Sequence, residues 1–230
     1  MIMNKMLRNE DGFTLVELVS VILLSTILIA VSAVGVIAFF KAHDRINKYV
    51  SVQQGVMETF NLIRHGMRMP ATQQNLLGLA DYSSQFKQFI GATSAKEITV
   101  PDYSTFLGYG SRLRLTPSNI TEATQFNDYL EYYLDDGVIR ATYIYRGSRI
   151  SPPLYVFPKQ SDRDIVEVTR FRISNENSGI YYRPIENDAL TLIGVEIEAK
   201  LLIKDDPVPY KREYKTVKLK SIISKKHGSE

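Results

Sequence analysis

Between Gly12 and Phe40 the chain carries one charged side chain, Glu17, and apolar residues fill every side of the helical wheel instead of marking a stripe. Coiled as a helix, residues 13–40 rise roughly 42 Å against about 30 Å of bilayer hydrocarbon, so the segment spans a membrane and its end projects. Beyond Phe40 the pattern changes. Ile46, Tyr49, Val56, Phe60, Ile63 and Met67, with Gln53 in the gap, recur at alternating spacings of three and four, which predicts one apolar seam on an otherwise polar helix. The seam lasts only about three heptads, which favours cover by the chain's own globular part over a coiled coil between chains. Gly55 and Gly66 each weaken a helix by about 1 kcal/mol relative to Ala, and Pro70 ends it. The expected organisation is thus an apolar helix over 13–40, with Gly35 as a soft point, and an amphipathic continuation over 41–69.

Residues 70–230 have the composition of one soluble head, large enough to bury a core. Tyr82, Phe86, Phe89 and Ile90 fall at helical spacing and predict a short helix over 81–91 with Gly91 as its cap. Later segments are strand-like. The runs 129–134 and 138–145 flank Asp135-Asp136-Gly137, a hairpin signal. The runs 165–173, 190–203 and 214–223 alternate or are continuously apolar, and Asp205-Asp206-Pro207 marks a turn between the last two. The fold class expected is α+β: a long N-terminal helix whose seam is covered by a mostly antiparallel sheet.

Glu17 is the anomaly. A charged side chain near the middle of a membrane helix costs about 2.5 to 3.5 kcal/mol on insertion scales, so it calls for a partner. A secretory signal peptide does not explain the segment, because the apolar run is too long and its nearest glycine, Gly12, precedes it. Thr26, Ala30 and Ala33 lie at helical spacing and admit a close neighbouring helix, although a plain compositional reading explains them equally well. Counting positive charges leaves orientation open, since Lys5 and Arg8 precede the span while Lys41, Arg45 and Lys48 follow it.

A short polar leader, then Gly12, Phe13, and a glutamate as the fifth residue counted from Phe13, resembles the N-terminal motif of type IV pilins and type II secretion pseudopilins. The resemblance implies a pilin-like fold and cleavage between Gly12 and Phe13 by a prepilin peptidase that then N-methylates Phe13. It also implies that Glu17 docks each incoming subunit, engaging the terminal amine of a neighbour's Phe13. In a low-dielectric helix bundle such a pair restores much of what an unpaired carboxylate loses, and methylation keeps the amine's charge. The implied location is the bacterial cytoplasmic membrane, single-pass, with the head outside, before entry into a pilus or pseudopilus filament. The implied partners are other pilins or pseudopilins, the peptidase, the inner-membrane assembly platform and membrane lipid before assembly. Many type IV pilins carry a proline in the second half of the membrane segment, whereas this chain has none between Phe13 and Met69. Its length and late basic strand are loosely similar to the J-class pseudopilins and W-class minor pilins, which implies a place in an initiating tip complex.

Composition trims the alternatives. With no cysteine the head is held by packing alone, and G-x-S-x-G, phosphate-loop and zinc spacings are missing, so the reading is of a structural subunit, not an enzyme, with no cofactor or metal. His43 and His65 lie about 33 Å apart on one helix, and His227 is in the tail. Asp162 with Asp164, and Asp205 with Asp206, lack the ligand run of a calcium loop and read as turn residues, and Asn119-Ile120-Thr121 carries little weight as a glycosylation acceptor. Tyr132-Tyr133 and Tyr181-Tyr182 read as strand residues. Lys211, Arg212, Lys215, Lys218, Lys220, Lys225 and Lys226 make the C-terminus basic, but the chain totals only +3 and no aromatic-basic motif joins them, so nucleic acid is the weaker partner. Two rivals to the filament subunit stand: a single-span anchored binding module, and an adhesive or DNA-capturing pilin.

Overall fold

The computed structural model describes residues 14–68, 88–117, 128–145, 147–149, 152–176, 192–204 and 212–225. The expected leader with Gly12 and Phe13, the first part of the expected 81–91 helix, the Asn119 acceptor, Tyr181-Tyr182 and the Asp205-Asp206-Pro207 turn lie outside them. The chain divides into two compact units, residues 1–47 and 48–230.

A single helix, α1 (Leu15–His65), runs through the first unit into the second. Strands follow: β1 (Gly66–Arg68), β2 (Gln88–Ile90), β3 (Glu97–Thr99), β4 (Tyr109–Gly110), β5 (Arg112–Thr116) and β6 (Tyr129–Asp135). Then come β7 (Val138–Tyr145), β8 (Ser148–Arg149), β9 (Leu154–Phe157), β10 (Val166–Asn175), β11 (Leu192–Lys204) and β12 (Glu213–Ser224). Every described pairing is antiparallel. β12-β11-β10-β4 form one sheet, β3-β5-β6-β7-β8 with β9 on β7 a second, and β1-β2 a small ribbon. The α+β class expected from the sequence is observed.

The seam becomes fully buried nearly two turns later than the heptads suggest. Ile46 is 60% exposed, and the buried face starts at Val52 and continues through Val56, Thr59, Phe60 and Ile63. Val52, Val56, Phe60 and Ile63 join one apolar cluster with Ile197, Ala199, Leu201, Val217 and Ile223 of the four-stranded sheet and Leu113, Leu130 and Ile139 of the other. Fully burying a side chain of this kind contributes about 1.5–3 kcal/mol, so the shared cluster fixes residues 48–65 of the helix to the sheets. Gly55 has a packing role beyond its helix cost: a Cβ there would lie 2.6 Å from the Phe157 ring.

The expected helix end at Met69 is corrected to His65. Gly66 adopts φ +71°, and a Cβ there would stand 2.1 Å from the Phe89 carbonyl oxygen, so the chain leaves the helix at a position only glycine fills without strain. Met67, expected in the seam, lies on β1 and is 52% exposed. The predicted helix reaching Gly91 is also corrected: Phe89 and Ile90 are buried on β2, where Ile90 pairs with Gly66 and Phe89 with Met67. Tertiary pairing overrides the helical spacing there, because the chain leaving α1 needs a backbone partner. The carbonyls left open at the helix end find one too, as the Ala92 amide donates to Ile63 (2.8 Å) and the Thr93 amide and hydroxyl to Arg64 (3.0 and 2.8 Å).

The hairpin and the three late strands lie where the alternation puts them. Asp135 pairs with Val138 across Asp136 (φ 48°) and Gly137 (φ 70°), the two positive-φ positions a two-residue hairpin of this hand requires. β11 and β12 pair from Leu192 with Ser224 to Lys204 with Glu213. On their solvent face Glu198 receives Arg170 (3.0 Å), Glu196 receives Lys218 (3.3 Å) and Glu176 receives Lys220 (2.6 Å).

Candidate assembly surface on the N-terminal helix

Residues 15–40 present apolar side chains on all sides of α1. Leu15 is 79% exposed, Leu28 69% and Phe40 65%. The helix is long and apolar enough to cross a membrane, and its most apolar stretch is not buried. Two of its hydroxyls are satisfied within the helix. The Ser20 hydroxyl donates to the Val16 carbonyl (2.7 Å) and the Thr26 hydroxyl to Leu23 (2.8 Å) and Ile22 (3.0 Å), so neither needs water at that depth. Gly35 sits in unbroken helix, and a Cβ there would meet nothing within 4 Å.

Glu17 lies in the first turn, where a carboxylate complements the positive end of the helix dipole. Its Oε2 accepts from the Thr14 amide (2.9 Å) and the Thr14 hydroxyl (3.0 Å), while the Glu17 amide donates back to Thr14 Oγ1 (3.3 Å). This reciprocal arrangement is a capping box, which satisfies two of the amide donors that a helix start leaves open. The sequence carries its signal, Thr14-Leu15-Val16-Glu17, a threonine followed three residues later by a glutamate ahead of an apolar run. Thr14 is thus the site residue that attention to the lone charge alone misses. Cleavage between Gly12 and Phe13 would leave the Thr14 N–H an ordinary peptide donor, so the box is compatible with the trimmed chain as well as the intact one.

Among the described residues the basic C-terminus is largely engaged. Besides the pairs that Lys218 and Lys220 form, the Lys215 ammonium stands 4.2 Å from the centre of the Tyr49 ring and Lys225 donates to the Lys96 carbonyl. In the core, burial pushes the Tyr132 and Tyr143 phenols well above their ordinary range, so both stay neutral. Comparison of the chain with protein-family models, with curated proteins and with solved structures gives no match.

Proposed function

We propose that the chain is a pilin-like subunit that assembles through its N-terminal helix into a type IV pilus or a type II secretion-like filament. The observation that carries this reading is Glu17: one carboxylate in an exposed apolar helix, placed five residues into the segment that begins at Phe13. Lipid holds the free subunit by residues 13–40. In the filament, copies of the helix replace lipid, and the Glu17 carboxylate exchanges its Thr14 contacts for the amine of a neighbour's Phe13. The head, built on residues 48–65 of the same helix, is displayed on the outer side of the bacterial cytoplasmic membrane. Within this reading the loose likeness to J-class and W-class subunits favours the initiating tip complex over the shaft, with sister pilins, the prepilin peptidase and the assembly platform as partners. The role is assembly, not catalysis.

The experiment is an N-terminal mass measurement after coexpression with a prepilin peptidase. A chain starting at methylated Phe13 is expected, and an intact Met1 would sink the proposal. One observation favours the rival anchored binding module: the capping box already gives Glu17 a local role that needs no neighbour.

A further inference from the structure

Past the apolar span the charges of α1 return with a basic balance. Between Glu17 and Glu58 the charged residues are Lys41, Asp44, Arg45 and Lys48. Lys41 and Arg45 stand about one turn apart on the same face of the helix, and both are exposed. Asp44 and Lys48 each have an interaction of their own, whereas among the described residues neither Lys41 nor Arg45 is held by an ion pair or a side-chain hydrogen bond. The other side of the helix carries an aromatic stack at the same level. His43 lies against Phe39 with ring centres 6.2 Å and planes 28° apart, and the Asn47 amide meets His43 Nδ1 at 3.1 Å. An exposed apolar ring capped by a polar one has the profile of the side chains enriched where hydrocarbon gives way to headgroups.

Helix geometry sets the depth of this pair. The rise from Glu17 is about 36 Å to Lys41 and about 42 Å to Arg45. The hydrocarbon of a bilayer is about 30 Å thick, and the headgroup layers bring the total to about 40–45 Å. With Glu17 at one hydrocarbon boundary, Lys41 therefore lies about 6 Å and Arg45 about 12 Å beyond the other, and a tilt of about 20° shortens both distances. Side chains on an α-helix lean toward its N-terminus, which for these two residues is the direction of the bilayer. Both cations thus reach back into the headgroup layer at the point where the helix leaves it.

We propose that Lys41 and Arg45 bind the phosphodiester of an anionic phospholipid in the leaflet where α1 leaves the bilayer. The guanidinium matches two phosphate oxygens with its fork, and the ammonium adds a point charge from the same face. The contact fixes the depth of the span. Sliding the helix inward would carry both cations into hydrocarbon, and sliding it outward would bare Ile37 and Phe40 to water. The proposal rests on the span crossing a bilayer and not on the filament, so an intact Met1 would leave it standing.

The chain has no tryptophan, so a single one reports on its own surroundings. Ile37 is 54% exposed and lies one turn before Lys41 on the same face, so Ile37→Trp places the fluorophore in the lipid beneath the pair. The full-length variant is reconstituted into vesicles of about four parts phosphatidylcholine to one part phosphatidylglycerol, with quenching bromines on the chains of one lipid or the other. Brominated phosphatidylglycerol should quench beyond its share of the lipid, with a preference of about tenfold or more, the scale of two basic side chains near an anionic surface. Adding Lys41→Gln with Arg45→Gln, both exposed, should bring the two lipids to parity. Adding Lys200→Gln with Lys204→Gln, which removes the same charge from exposed positions on β11, should leave the preference intact. Parity before the glutamines are introduced, a preference that survives them, or an equal loss in the β11 variant would each overturn the proposal. Inorganic phosphate should act no more strongly than sodium chloride of equal ionic strength; a stronger effect would assign the pair to a soluble phosphate and overturn the lipid assignment. Failure of the chain to float with the vesicles would overturn the span and the proposal together.

Discussion

The Glu17 carboxylate takes hydrogen bonds from both the amide and the hydroxyl of Thr14, at 2.9 and 3.0 Å. The acid that breaks the apolar segment is therefore already satisfied within one chain, and any docking role requires it to trade those bonds for a charged partner. Two substitutions separate the roles. Glu17→Gln keeps an acceptor for the Thr14 amide and removes the charge, whereas Glu17→Ala removes both. Both variants are expected to insert and be cleaved but to enter filaments poorly, measured by mass spectrometry of the N-terminus and by immunoblotting of sheared filaments. Normal incorporation of either would show that the charge has no docking function.

Gly66 is expected to be the least replaceable of the positive-φ glycines. A Cβ at Gly66 meets the Phe89 carbonyl oxygen at 2.1 Å, while one at Gly147, at φ 75°, meets nothing within 4 Å. Gly147→Ala then carries only the backbone cost of about 1–2 kcal/mol, and Gly66→Ala adds the displacement of β2 to it. Urea unfolding of the purified chain in detergent should rank the two in that order, and equal midpoints would contradict it.

Arg64 ties the last turn of α1 to the last strand, its Nη2 donating to the Ile222 carbonyl (2.9 Å) and the Ser221 hydroxyl (3.2 Å). Losing charge-assisted bonds of this kind costs about 1.5–3 kcal/mol. Arg64→Ala should speed amide exchange along β12 more than along β6. Uniform protection in both strands would show the tie to be idle.

Glu176 gives the four-stranded sheet an acid limit. The Lys220 ammonium, and after it the Ser174 hydroxyl, hold its carboxyl below the usual carboxylate range by hydrogen bonding to it. A depressed folded pKa adds stability that is present above the unfolded value and lost as pH falls through the folded one. Melting temperature should therefore drop on acidification through the carboxylate range, and Glu176→Gln should lower it near neutrality while flattening that drop. An unchanged slope in the variant would place the acid sensitivity elsewhere.

Period-2 alternation and the Asp135-Asp136-Gly137 signal located β6, β7, β10, β11 and β12 within a residue or two, because those strands have one buried face and the turn chemistry is local. The membrane-length helix was equally legible, since composition alone defines it. The end of the helix was not. Gly66 ends it because Phe89 and Gly91 cross there, a contact between segments more than twenty positions apart that no local window contains. The same crossing overrode the helical reading at Phe89 and Ile90, which pair on β2 instead. Thr14 was legible and was eclipsed by its neighbour: the unusual charge drew attention to what lies across the interface, while the capping pattern beside it is a feature of the chain itself.

The bonds that Ala92 and Thr93 send to Ile63 and Arg64, together with the grip of Arg64 on Ile222, hook the far end of α1 into the body of the second unit. Anything that loosens the last turn of α1 must therefore break bonds to two separate segments of that unit, at Ala92-Thr93 and at Ser221-Ile222.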